Sequence, residues 1–100
     1  VSSYTEHFAK HLRLVILRLL HEAGGYRLNS SVLTDAANAH GLAASRDQMR
    51  GELAWLAENG LIKTEEPAVG LVVATLTERG ADIVDGRGQH PGVQRPSPKG

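Results

Sequence analysis

A chain of 100 residues with 11 basic and 11 acidic side chains has no net charge, so no global field draws it to nucleic acid, an anionic membrane or an acidic substrate. Its 41% hydrophobic and 22% charged residues are the proportions of a folded globular domain, not of a disordered chain. Cysteine is absent, which excludes disulfides and thiolate metal sites, and the longest mostly apolar run, Leu12 to Leu20, is too short and too charged to cross a bilayer. A single cytoplasmic domain without membrane contact is expected.

From Ser3 to Ala23 neither glycine nor proline interrupts the chain. Phe8, Leu12, Val15, Ile16, Leu19, Leu20 and Ala23 recur at helical spacing, predicting a first helix stopped by Gly24-Gly25. At about 100° per residue, Leu14 and Leu17 project to the opposite side. That second apolar face has two readings, cover by the C-terminal helix of the same subunit or a homodimer seam, since either buries the same apolar area.

Tyr26-Arg27-Leu28 reads as a short link or minor edge strand. Asn29, Ser30 and Ser31 are N-cap candidates for a second helix carrying Val32, Leu33, Ala36, Ala37 and Ala39 and ending near Gly41. Leu42-Ala43-Ala44 forms a turn, and Ser45 with Gln48 makes an S-x-x-Q capping box that opens a third helix over 45–59. Met49, Leu53, Leu56 and Ala57 supply its buried stripe, and Gly60 closes it.

After Gly60 the period changes. Leu61 to Glu65 and the β-branched run Leu71 to Leu76 read as strands around a hairpin loop, Glu66 to Gly70, and Thr77 caps a last helix through Val84. The expected division is a folded domain over 1–86 and a flexible, basic, Gly/Pro-rich tail over 87–100, with Arg87, Arg95 and Lys99 and no acid. Helix, helix, turn, helix, strand, loop, strand, helix is the order of a winged helix-turn-helix, a mainly α fold with a small β-hairpin.

The string ELAWLAENGLIKTEE, leading through a hairpin into VVATLTERG, resembles the third helix, wing and following helix of small bacterial winged-helix regulators. These include the arsenical-resistance-repressor and multiple-antibiotic-resistance-repressor groups. Nearly the whole chain, including the tail PGVQRPSPKG, resembles a family of small regulator-like proteins of Mu-like transposable phages. The resemblance implies a fold and a genomic setting.

In DNA-binding winged helices the N-terminal, outward residues of the third helix meet base edges in the major groove. Here these are Ser45, Arg46, Asp47, Gln48, Arg50 and Gly51. Gln48 has the donor and acceptor for adenine, Arg46 or Arg50 the fork for guanine, and Ser45 a hydroxyl for phosphate. The bland alternative is that Ser45 and Gln48 only cap the helix while the arginines pair with Asp47 or Glu52. Residues 30–60 carry two arginines against Asp35, Asp47, Glu52 and Glu58, a balance of minus two. The wing offers Lys63 beside Glu65 and Glu66, so phosphate attraction must come from dimerisation or from Arg95 and Lys99 in the tail.

Trp55 lies off the main stripe of its helix, which suits packing beside the wing strands or anchoring a protein partner. His7 and His11 stand four apart, but two imidazoles make no metal site without a third ligand. No nucleophile elbow, paired carboxylates or phosphate-cradling glycine loop is present, so neither an enzyme nor a cofactor is expected. Two functions remain: a homodimeric DNA-binding regulator reading DNA with the third helix, or a protein-interaction module using Trp55, the wing, or Leu14 and Leu17.

Overall fold

A computed structural model describes residues 3–97. Among the described residues four α-helices, α1 (Ser3–Glu22), α2 (Ser30–Ala39), α3 (Arg46–Glu58) and α4 (Glu78–Val84), accompany a three-stranded antiparallel sheet. Its strands are β1 (Arg27–Asn29), β2 (Ile62–Ala68) and β3 (Leu71–Leu76), in the order β1-β3-β2. The link after α1 does contribute an edge strand, so the hairpin is extended on one side by three residues from the front of the chain.

Local chemistry sets the boundaries. Asn29 Oδ1 accepts from Val32 N and starts α2, and the Ser45–Gln48 box starts α3. Thr77 starts α4: its Oγ1 accepts from Gly80 N and donates to the carbonyl of Gly60. Gly60 ends α3 at φ +76°, in the left-handed region that glycine enters without steric cost. The β2–β3 hairpin is longer than its sequence suggests. β2 runs through Glu66 and Pro67, the register shifts between Glu65 and Ala68, and only Val69-Gly70 remain as the turn.

The core joins Leu12, Leu14, Ile16, Leu17 and Leu20 of α1 to Leu33 and Ala37 of α2, Met49, Leu53 and Leu56 of α3, and Leu61, Ile62, Ala74, Ile83 and Val93. A fully buried aliphatic side chain contributes about 1.5–3 kcal/mol, so this cluster supplies the main drive to fold. On α2 the buried set is Ser30, Leu33, Thr34 and Ala37, while Val32 and Ala39, both expected inside, face solvent. Thr34 is accommodated because its hydroxyl donates to the Ser30 carbonyl at 2.8 Å.

Two further expectations are corrected. Leu14 and Leu17 form no spare face: they are 4% and 0% exposed and lie in the core, with α4 packed across α1. The homodimer seam proposed through them is therefore filled within one chain. The tail is not solvated throughout either, because Val93 is 3% exposed and belongs to the core. Gln94 N donates to the Lys10 carbonyl at 3.2 Å, tying this segment to α1. The Gly/Pro composition signals lack of regular structure, but one buried valine, closing a turn by donating to the His90 carbonyl, suffices to seat the segment.

Gly80 marks a close approach. A Cβ there would lie 2.3 Å from the Leu61 carbonyl oxygen and 2.7 Å from Leu76 Cδ1, so α4 touches the start of the hairpin through bare backbone. No helix among the described residues is long and apolar enough to cross a membrane.

Candidate functional site

The first turns of α3 hold most of the expected site. Ser45 Oγ accepts from Gln48 N at 3.0 Å, and Ser45 N donates to Gln48 Oε1 at 3.0 Å. The box secures the helix end and takes up one of the two lone pairs of Gln48 Oε1, so this side chain is turned toward its own N-cap. Arg46 Nη1 donates to Ser31 Oγ at 2.8 Å, which ties the first turn of α3 to the first turn of α2.

Asp47, Arg50 and Gly51 are exposed. Among the described residues Arg50 has neither a hydrogen bond nor an ion pair, and its guanidinium lies beside the hairpin turn, 3.8 Å from where a Cβ on Gly70 would stand. Glu66 Oε2 accepts from Gly70 N at 2.9 Å in that turn. Gly51 sits inside the helix on its solvent face. A Cβ there would meet nothing within 4 Å, although glycine in a helix interior costs about 1 kcal/mol relative to alanine.

One acid of α3, Glu52, is neutralised from another element. Arg13 of α1 forms an ion pair with Glu52, with both side chains less than a fifth exposed. Its Nη1 also donates to the Gly92 carbonyl at 2.9 Å, and its guanidinium carbon stands 3.8 Å from the centroid of the Trp55 ring. The balance of minus two counted over residues 30–60 thus becomes minus one once the Arg13 charge is included. Sequence reasoning missed Arg13 because its partner is 39 residues away and no local pattern marks the pair.

The ring of Trp55 meets Arg13 of α1 and the C-terminal segment. It is half-buried beneath the C-terminal segment, with the His90 ring edge-on at 5.0 Å, and it leaves no room for a Cβ on Gly92. His90 Nε2 donates to Asn59 Oδ1 at 2.9 Å while its Nδ1 accepts from Gly92 N at 3.0 Å, the neutral tautomer that satisfies both contacts. Asn59 Nδ2 in turn donates to the Trp55 carbonyl at 2.9 Å. The indole is therefore engaged within its own chain.

The other expected contact residues are dispersed. Lys63 lies near the base of the hairpin, in register with Thr75, which in turn faces Arg27 on β1. Five residues of strand, roughly 16 Å at ~3.3 Å each, separate it from the end of β2, so it does not join Arg50 at the turn. Arg27 pairs with Glu65 at 3.7 Å. Arg95 is exposed next to Gln94, on the α1 side, and Arg87 pairs with Asp82 and Asp85. Lys99 lies outside the described residues.

His7 and His11 line a shallow cleft with Tyr4, Phe8, Leu42 and Gln48. His7 Nδ1 is 2.7 Å from the Ser3 carbonyl oxygen, where it donates within its own helix. Among the described residues no group of three histidine, aspartate or glutamate side chains converges as a metal site.

No family model matches the chain. It is 46% identical over 87 residues to a protein of Escherichia phage Mu described as "Uncharacterized protein gp26", covering 87% of this chain and 88% of that one. It is also 42% identical over 77 residues to a Haemophilus influenzae protein described as "Uncharacterized protein", covering 77% of this chain and 74% of the relative.

Proposed function

The chain belongs to the family of gp26 of Escherichia phage Mu, and from that premise we propose that it is a phage winged helix-turn-helix protein that binds duplex DNA in the host cytoplasm. The order of elements supports the fold reading: α2 and α3 are joined by a short turn, and a hairpin and a capped helix follow. In that frame β2 and β3 are the wing and α3 is the helix presented to the major groove.

The observation that carries the reading is Arg50. Its guanidinium is exposed on the second turn of α3, without a hydrogen bond or ion pair among the described residues, at the junction with the wing turn. Pairing of Glu52 with Arg13 removes one negative charge from α3, while Asp47 stays exposed on the Arg50 face without an ion pair to it. An unengaged arginine on this face has the donor fork for guanine O6 and N7, while Arg46 at the start of the helix is placed for a phosphate. With one phosphate contact, from Arg46, the logarithmic salt slope is shallow, roughly −1 at about −0.9 per phosphate.

The test is an NMR titration and fluorescence anisotropy with a labelled pool of randomised duplexes at low salt. Shifts are expected at residues 45–51, and Arg50→Ala weakens binding by about 1–3 kcal/mol where the contact is bidentate. Duplexes that leave residues 45–51 unperturbed would refute the reading. A protein-interaction module is the second reading, favoured by the wing tip. There Val69 is fully exposed, at 103%, next to Glu65 and Glu66. Co-purification of a partner that survives nuclease and is lost in Val69→Asp would support it over DNA binding.

A further inference from the structure

We infer that Gly51 is the point at which the backbone of α3 comes closest to the bound duplex, a position whose lack of a side chain serves the ligand and not the fold. This rests on the DNA-binding reading above. Glycine inside a helix needs a reason, and the fold supplies none. Gly51 has no positive φ, so no special conformation requires it. A Cβ would meet no atom of the chain within 4 Å, so no tight packing requires it either, unlike Gly80 and Gly92. Any helix-favouring residue would fit and would stabilise α3.

The position has a neighbourhood suited to contact. Asp47, Arg50 and Gly51 share one solvent face of α3, because residues three and four apart lie side by side on a helix. Glycine is the residue that lets a backbone approach a ligand closely. Seated there, the helix lies deeper in the groove, and Arg50 reaches a guanine edge at a shorter extension of its side chain. Asp47 on the same face carries an acceptor suited to the amino group of cytosine. The surface is therefore matched to G·C-containing duplexes, while the acceptor of Gln48 is held in the cap.

The experiment compares the full chain with its Gly51→Ala and Gly51→Gln variants. Melting is followed by circular dichroism and binding by anisotropy on a randomised 30-base-pair duplex pool at low salt, with sequencing of the retained duplexes. Both variants are expected to melt higher, alanine by roughly 3–8 °C and glutamine by less, since both are better helix formers than glycine. Both are also expected to bind more weakly, glutamine more than alanine, with a loss on the order of tenfold, or about 1.4 kcal/mol. Retained duplexes should be enriched in G·C pairs for the wild type. Variants that melt higher but bind like the wild type would overturn this inference alone. Failure of the wild type to retain any duplex would overturn the DNA-binding reading and this inference with it.

Discussion

Gly92→Ala puts the seating of the C-terminal segment to the sharpest test. The new Cβ would stand 2.4 Å from Cζ2 and 2.5 Å from Cη2 of Trp55, and 3.3 Å from Nη1 of Arg13. Carbon atoms rest at about 3.5–4.0 Å, so the overlap on the indole is at least about 1 Å. The ring has little freedom to yield, with the guanidinium of Arg13 at 3.8 Å from its centroid and His90 at 5.0 Å. Overpacking of this kind costs about 1–3 kcal/mol. Relief by lifting the segment instead forfeits the burial of Val93, about 1.5–3 kcal/mol, so the two routes are of similar cost and about 2 kcal/mol is lost by either. For a domain of this size that lowers the melting temperature by roughly 8–16 °C. Trp55 is the only tryptophan, so urea unfolding followed by its emission measures both the stability and the cover of the ring. A lower midpoint with red-shifted native emission is expected, whereas Val93→Ala should lower the midpoint while leaving the emission nearly in place. Wild-type emission and midpoint in Gly92→Ala would show that residues 90–92 do not cover the indole.

Ser45→Ala removes the cap of α3 and should cost about 0.5–2 kcal/mol in thermal unfolding, with Gln48→Ala adding less than its separate effect because the two share one box. Leu17→Ala should cost about 2–5 kcal/mol while leaving the sedimentation coefficient of the native protein unchanged, since Leu17 is buried within its own chain. Gly80→Ala should lower the urea midpoint by an amount equivalent to about 3 kcal/mol, at the upper end for overpacking because the obstacle is the Leu61 carbonyl and cannot rotate away.

The helices were legible wherever a short-range signal marked them. The Ser45–Gln48 box, the Asn29 and Thr77 caps and the shift to β-branched residues after Gly60 all fall where the elements begin or change. Burial on α1 was legible only in part. Periodicity assigned Leu14 and Leu17 to a separate face, because it cannot show that α4 closes over them from more than 60 residues away. The same limit hid the environment of Trp55. Arg13 of α1 meets that ring together with His90 and Gly92 of the C-terminal segment, and no spacing within either stretch announces the other. Of the candidate contact residues, Arg46 and Arg50 share the start of α3 as expected. Lys63 was separated from them by strand length, which a count of charges does not register.

The borders of the sheet limit how copies of this molecule can meet. On one side β1 offers only Arg27–Asn29, too little backbone to template another strand. On the other, β2 carries Lys63 and Glu65, a break in register before Ala68, and Pro67, which has no N–H to donate. Short length, charge, proline and irregularity are the devices that blunt an open sheet against edge-to-edge growth. In concentrated solution, then, the native chain is protected from templating fibrils through its sheet, and its assemblies are expected to form through side-chain surfaces and not by shared strands.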